Sequence, residues 1–147
     1  MRPTRRLSLG LSLALALASV MVLAGGAMAG GRPISIALTG AAEAPGPGDS
    51  DGSGTASFTF NAGRGQVCFD YSVSDVAPLT GAHIHLAPAG SSGPVVIPFP
   101  TSPTGRSGCV TVSRQLIIAI LRDPSAYYFN VHNAAFPAGA LRGQLPR

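Results

Sequence analysis

Apolar and polar side chains alternate along most of the chain after residue 33, and a period of two is typical of strands that bury one face. Segments rich in glycine, proline and serine interrupt the alternation and are typical of turns and loops. The pattern predicts eight strands, close to residues 34–38, 55–61, 66–73, 83–86, 95–99, 108–112, 127–133 and 140–145.

The period changes after residue 112, where apolar side chains recur at the spacing of a helix, at Leu116, Ile117, Ile120 and Leu121. Ser113 is placed to cap this helix, and Asp123 followed by Pro124 to end it, so we predict a helix over residues 114–122. The expected fold is all-β, an antiparallel Greek-key-like sandwich or small barrel of about eight strands with one short helix.

The first 29 residues have the layout of a secretory signal peptide. Arginines at positions 2, 5 and 6 precede an apolar run from Leu7 to Leu23, and Ala27-Met28-Ala29 supplies a small-x-small cleavage pattern. We therefore expect residues 1–29 to be cleaved and residues 30–147 to form one secreted or periplasmic domain. The alternative is a retained membrane anchor, for which the apolar run is slightly short.

The formal net charge of the whole chain is +4. Three of its ten basic residues lie in the predicted signal peptide and all six acidic residues follow it, so the remaining domain is about neutral. A neutral surface without a basic stripe argues against nucleic acid as a partner, and against an anionic membrane once the signal peptide is removed.

Two cysteines, Cys68 and Cys109, remain in a domain that is expected to reach an oxidising compartment. A disulfide between them is the leading interpretation. The alternative is a pair of buried thiols or soft metal ligands, which the lack of a CxxC-type spacing disfavours.

All three histidines lie in two short alternating segments, residues 81–86 and 129–133. In these segments the apolar side chains would face one side of the sheet, and His83, His85 and His132 would face the other together with Asn130. If the two strands are neighbours, three imidazoles converge, and three nitrogen ligands suit copper or zinc. The sequence therefore predicts a transition-metal site.

A hydrogen-bonded histidine network is the main alternative to a metal site. In this network His83 and His85 bond to the following loop and to Asn130, and His132 holds the turn at residues 137–139. Acid–base catalysis by a histidine–aspartate pair is a third interpretation, but no feature of the sequence brings such a pair together.

Four motifs, in order along the chain, resemble the chordin (CHRD) domain family, in particular its secreted bacterial single-domain members. The resemblance covers nearly all of residues 33–146, and residues 52–56 and the surroundings of the two cysteines add to it. The motifs are His83-Ile84-His85, Gly93-Pro94-Val95-Val96, Tyr128-Phe129-Asn130-Val131-His132 and Pro137-x-Gly139-x-x-Arg142-Gly143-Gln144-Leu145.

The resemblance implies an extracytoplasmic, β-rich single domain and no general molecular function. Growth-factor binding in chordin is associated mainly with separate cysteine-rich repeats, which this chain lacks, so that function is not transferred. Ala140 stands where the family commonly has an acidic residue, which removes a carboxylate from the neighbourhood of Arg142. We expect Arg142 to bridge a carboxylate inside the fold or to bind a partner's acidic group, and Asn130 to be structural or partner-binding.

Three functions fit these observations, in decreasing order of support. The first is a non-enzymatic binding or structural module that holds copper or zinc at the three histidines and has an extracellular protein or polysaccharide as partner. The second is a small copper- or zinc-dependent metalloenzyme. The third is a polysaccharide- or matrix-binding adhesion module, for which Tyr127, Tyr128 and Phe129 offer an aromatic platform if they are exposed.

Overall fold

A computed structural model describes residues 31–147, and the predicted signal peptide lies outside these residues. The described chain forms eight strands and one α-helix, with short 3-10 turns at Gly40–Ala42 and Pro124–Ala126. The strands are β1 (Arg32–Thr39), β2 (Ser53–Asn61), β3 (Gln66–Ser74), β4 (Leu79–Leu86), β5 (Val95–Pro98), β6 (Gly105–Thr111), β7 (Tyr127–Asn133) and β8 (Leu141–Gln144). The helix, α1 (Arg114–Arg122), lies between β6 and β7.

All eight strands belong to one antiparallel sheet in the order β5-β4-β7-β8-β1-β2-β3-β6. The sheet curls into a half-barrel, with β5 and β6 as its two edges. The predicted all-β fold of about eight strands and one short helix is confirmed, in its barrel-like form.

The side chains that face the inside of the curl form the hydrophobic core, as the alternation predicts. Aromatic rings from distant strands meet there: the ring centroids of Phe58 and Phe129 are 5.1 Å apart, and those of Phe69 and Phe99 are 4.9 Å apart. Such pairs stabilise a fold by roughly 0.5–1.5 kcal/mol beyond the area they bury. The aromatic cluster therefore ties both halves of the curl together.

Helix α1 has the predicted bounds and the predicted cap. The hydroxyl of Ser113 accepts a hydrogen bond from the Leu116 amide at 3.3 Å. Ile117 and Ile120 are fully buried, and the helix contacts β2 and β3. The apolar stripe thus stabilises a helix that is too short to be stable in isolation.

A second, polar layer lies on the opposite face of β4, β7 and β8, beneath the connecting loops. Asn130 and Arg142 are paired in register there, and each is only 1% exposed. Arg142 donates hydrogen bonds to the carbonyl oxygens of Ser91 at 2.8 Å and Pro88 at 2.9 Å, in the loop that follows β4. This layer, rather than the hydrophobic core, holds the candidate site.

The pairing of β3 with β6 sets Cys68 opposite Cys109, and their sulfurs form a disulfide. The predicted disulfide is confirmed, and it is typical of a protein in an oxidising, extracytoplasmic compartment. Within residues 31–147 no helix combines the length and the apolar character needed to span a membrane.

Four strands begin earlier than the alternation predicts, β1 and β2 by two residues and β4 and β6 by more. β4 begins at Leu79, which is buried in the core, and continues through Gly81, which pairs with His132. β6 begins at Gly105, in a segment without an alternating pattern, because it pairs with β3 along its whole length. In both cases pairing with a neighbouring strand decides the conformation where local propensity does not.

Candidate metal centre

The neighbouring strands β4 and β7 bring the three histidines to one place on the polar face. Their register sets His83 opposite Asn130 and Gly81 opposite His132. Ile84 and Val131, on the other face of the same strands, are fully buried in the core. Burial of the apolar residues therefore fixes the side on which the imidazoles lie.

The three rings form a compact cluster. The ring centroids of His83 and His132 are 5.0 Å apart, those of His83 and His85 are 5.6 Å apart, and those of His85 and His132 are 6.1 Å apart. One ligand nitrogen from each ring lies within 4.8 Å of one from each of the others. The predicted convergence of the three imidazoles is thus observed.

One ring nitrogen of His85, Nδ1, is hydrogen-bonded, and the other, Nε2, is not. Its Nδ1 is 2.9 Å from the carbonyl oxygen of Gly93, which can only accept, so Nδ1 carries the proton and donates. The opposite nitrogen, Nε2, then has an unprotonated lone pair, and it is buried without a hydrogen-bond partner among the described residues. A backbone carbonyl that fixes the tautomer in this way is the usual arrangement behind a metal-binding histidine.

His83 also has a buried nitrogen, Nδ1, without a partner in residues 31–147. Burial, together with the neighbouring His132 and His85 rings, lowers the pKa of its imidazole from the usual value of 6.5 to about 4. The side chain is therefore neutral at neutral pH, which is the form that binds a metal ion.

His132 faces oxygen atoms on both sides. Its Nδ1 is 3.1 Å from the carbonyl oxygen of Pro137, and its Nε2 is 3.0 Å from Oδ1 of Asn130. Burial lowers the pKa of this ring, and the nearby His85 adds to that effect, whereas the hydrogen bond to Pro137 opposes it. A neutral imidazole has one N–H group, so it can donate to only one of the two oxygens.

Gly81 provides the space in which the rings approach each other. A Cβ at this position would lie 3.0 Å from Cε1 of His83 and 3.3 Å from Cδ2 of His132. These distances are shorter than ordinary carbon–carbon contacts. Gly81 therefore lets His132 lean across β4 towards His83.

Tyr128 and Arg142 support the cluster from one side. The ring of Tyr128 is stacked on that of His85, with centroids 4.7 Å apart and planes inclined by 8°. The guanidinium carbon of Arg142 lies 3.4 Å from the centroid of the Tyr128 ring. Arg142 also donates to Oε1 of Gln144 at 3.0 Å. The Tyr128–Arg142 stack thus packs His85 against the same loop to which that histidine is hydrogen-bonded.

Glu43, the only glutamate in the chain, is the residue that the sequence analysis missed. It is buried beside Asn130 and Arg142, and its Oε1 has no hydrogen-bond partner in the described structure. Burial raises its pKa, while the hydrogen bond from Asn130, the charge of Arg142 and a hydrogen bond from the Ala44 backbone oppose that rise. Glu43, which comes from a glycine- and proline-rich loop without a periodic pattern, supplies a carboxylate whose charge acts on Arg142, and a bridge between these two side chains stays a prediction.

The structure contains part of the hydrogen-bond network that was the alternative to a metal site. His85 bonds to the loop after β4, and His132 bonds to the turn at residue 137. These bonds leave the buried nitrogens of His83 and His85 unsatisfied, at a cost of about 1–3 kcal/mol each. A network alone therefore explains the orientation of the rings but not their free lone pairs.

The aromatic platform considered for polysaccharide binding is not available. Tyr127, Tyr128 and Phe129 are all buried.

The donor set suits a transition metal. Three neutral imidazoles are common ligands of zinc and copper. Nitrogens bound tetrahedrally to one zinc ion lie about 3.4 Å apart, so ring rotations that move the nitrogens by about 1 Å would bring this cluster to bonding distance.

Comparison with known proteins agrees with the motifs in the sequence. Residues 34–145 match the CHRD domain. No curated protein and no solved structure gives a significant match to the chain. Because the family match runs from β1 to the end of β8 and includes all the side chains of the cluster, the chain belongs to the CHRD domain family.

Proposed function

We propose that this protein is a non-enzymatic extracytoplasmic module that binds one copper or zinc ion through His83, His85 and His132. The observation that carries the proposal is the pair of buried, unpartnered nitrogens, Nδ1 of His83 and Nε2 of His85, beside the third imidazole. Each would accept a hydrogen bond or bind a cation, and residues 31–147 supply no donor to either.

The protonation states support an ion more than a proton at this position. Burial lowers the pKa of both His83 and His132, so protonation of the cluster is unfavourable near neutral pH. A metal ion would satisfy all three lone pairs at once. Binding would then recover the desolvation cost that the free nitrogens impose on the metal-free fold.

The compartment is consistent with this function. The Cys68–Cys109 disulfide indicates an oxidising environment, where metal ions reach a protein without passing through a reducing thiol pool. A module exposed to that environment needs ligands that are insensitive to oxidation, and imidazoles meet this need better than thiolates do.

Titration of the metal-free protein, prepared without a histidine tag, with Zn²⁺ and separately with Cu²⁺ tests the proposal. We expect one equivalent to bind per chain. His83→Ala and His85→Ala should each lower the affinity by at least about 100-fold, more than the loss of an outer-shell partner usually does. Absence of saturable binding, or equal affinity in the wild type and both variants, would contradict the proposal.

Two further variants separate loss of ligands from loss of fold. Asn133→Ala removes another buried polar side chain of β7, one whose Oδ1 accepts from the Phe136 amide rather than from a histidine, and it should keep the wild-type affinity. Gly81→Ala keeps all three ligands but places a methyl group against two of the rings. We expect it to lower the affinity by about tenfold, the effect of a disturbed outer shell.

A further inference from the structure

We propose that Oδ1 of Asn130 is a fourth ligand, so that the ion is held in a closed site of three imidazole nitrogens and one amide oxygen. This inference rests on the proposed function and specifies the coordination of the same site. It assigns to Asn130 a direct contact with the ion in place of a structural role.

Nε2 of His132 and Oδ1 of Asn130 are in direct contact. When Nε2 of His132 binds the ion, as the proposed function requires, the ring proton lies on Nδ1 and is donated to the carbonyl oxygen of Pro137. Nε2 therefore presents a lone pair to Oδ1 of Asn130, which also presents lone pairs, at 3.0 Å. In that state two lone pairs face each other at this distance, and an ion that both atoms bind removes their repulsion.

Glu43 orients the Asn130 amide. The Asn130 side chain donates a hydrogen bond to the carboxylate of Glu43, which requires its NH₂ group to face Glu43. The amide oxygen consequently faces His132. Because Asn130 is 1% exposed, water does not compete for this arrangement. Glu43 thus aims the oxygen at the histidine cluster.

The distance between Nε2 of His132 and Oδ1 of Asn130 suits two ligands of one ion. Two ligand atoms 3.0 Å apart, each about 2.1 Å from one ion, subtend an angle of about 90° at that ion. This angle lies within the range of four-coordinate sites for zinc and copper(II). His83 and His85 occupy the opposite strand and supply the remaining two nitrogens.

The donor set defines the class of ion and the role of the site. Three imidazoles with one oxygen favour Zn²⁺ or Cu²⁺ over the softer Cu⁺, which prefers sulfur. Structural zinc sites have four protein ligands, whereas catalytic sites keep one position open for water or substrate. A fourth protein ligand therefore makes this a site for holding an ion rather than for activating a substrate.

Azide binding to the Co²⁺-loaded protein tests whether the fourth position is closed, because Co²⁺ replaces Zn²⁺ and has a visible spectrum that reports its ligands. We expect azide to leave the spectrum of the wild type unchanged. Asn130→Ala should lower the affinity for Zn²⁺ by about 100-fold and should make the Co²⁺ spectrum respond to azide. Asn133→Ala, which removes a buried amide from the same strand, should behave as the wild type in both respects.

Two conservative variants keep the test decisive if Asn130→Ala does not fold. The double variant Asn130→Asp/Glu43→Gln retains an oxygen at the same place and gives it the new amide at position 43 as donor, so it should bind Zn²⁺ at least as tightly as the wild type and remain insensitive to azide. Glu43→Gln keeps an acceptor for the Asn130 amide but loses the charge that polarises it. We expect a loss of affinity of about tenfold, without a response to azide.

The two proposals fail in different ways. Protein that binds no ion at all contradicts the proposed function, and the fourth ligand with it. Protein that binds one ion but responds to azide equally in the wild type and in Asn130→Ala, or binds Zn²⁺ equally tightly in both, overturns only the assignment of Asn130.

Discussion

His83 shows how the fold stabilises the metal-binding form of the site before an ion arrives. Its Nδ1 is buried without a partner, and two other imidazoles lie beside it. Both features disfavour a positive charge on the ring, so its pKa falls to about 4. The ion does not have to displace a proton from this residue at neutral pH, which favours binding.

The same residue makes the metal-free protein sensitive to acid. The pKa of His83 is about 4 in the folded protein and about 6.5 in the unfolded chain, so the unfolded chain takes up a proton first as the pH falls. Stability should therefore be complete above pH 6.5 and decrease between about pH 6.5 and pH 4, by roughly 2–3 kcal/mol for His83.

Urea denaturation of the metal-free wild type and of His83→Gln, at several pH values in that window, measures this contribution as the difference between the two proteins. Glu43 has a raised pKa and acts in the opposite direction, but it is present in both proteins and largely cancels. An identical pH dependence in the two proteins would show that His83 is not held neutral by the fold.

At the scale of elements, polar side chains of the sheet hold the loop after β4, and Arg142 makes two of these hydrogen bonds. Arg142 donates to two of its carbonyl groups, at Ser91 and Pro88, and stacks on Tyr128 beneath it. The carbonyl of Gly93 in the same loop fixes the tautomer of His85. The loop therefore connects Arg142 to His85, whose Nε2 is a candidate metal ligand.

Arg142→Lys should loosen this loop. An ammonium group cannot reproduce the planar fork that reaches both carbonyl groups, and it leaves one of them without a donor. We expect a loss of about 2–4 kcal/mol in the free energy of unfolding and faster hydrogen exchange of the amides of Leu86 and Ser91, which are bonded within the loop. Arg106→Lys, at an exposed arginine of β6, serves as the control and should change neither quantity.

The elements differ in how well their sequences predict them. The strands with one face in the core, such as β3 and β7, follow from alternation alone, and α1 follows from its period and the Ser113 cap. The start of β6 does not follow from alternation, because pairing with β3 decides its conformation. The role of Gly81 could not be predicted from local sequence either, because its lack of a side chain matters only through His132, which lies opposite it.

The candidate site, too, could be predicted only in part from the sequence. The shared face of His83, His85 and His132 could be predicted because alternation assigns it and a sheet can bring two strands together. The contribution of Glu43 could not, because its loop has no periodicity and reaches Asn130 only through the path of the chain around the sheet. The orientation of the Asn130 amide depends on Glu43, so it could not be predicted from the sequence either.

At the scale of the whole molecule, the disulfide and the candidate site lie in different parts of the sheet. Cys68 and Cys109 join β3 to the edge strand β6, whereas the histidines lie on β4 and β7, towards the other edge. The bond links residues that are 41 apart in sequence. Loop entropy assigns to such a link a stabilisation of about 4 kcal/mol.

Replacement of both cysteines by serine should therefore lower stability without altering the metal site. We expect the free energy of unfolding in urea to fall by about 2–4 kcal/mol and the affinity for Zn²⁺ to remain within about twofold of the wild type, because the histidines lie on β4 and β7 and the disulfide joins β3 and β6. A large loss of affinity in a variant that is still folded would show that the two ends of the sheet are coupled.

X-ray absorption at the zinc edge of the protein loaded with one equivalent of Zn²⁺ tests the central claim most directly, because it counts the ligands of the ion. The account predicts three imidazole nitrogens at about 2.0–2.1 Å and one oxygen in a four-coordinate shell. A shell with fewer than three imidazoles, or one made up mainly of water oxygens, would show that these histidines do not form a common metal site.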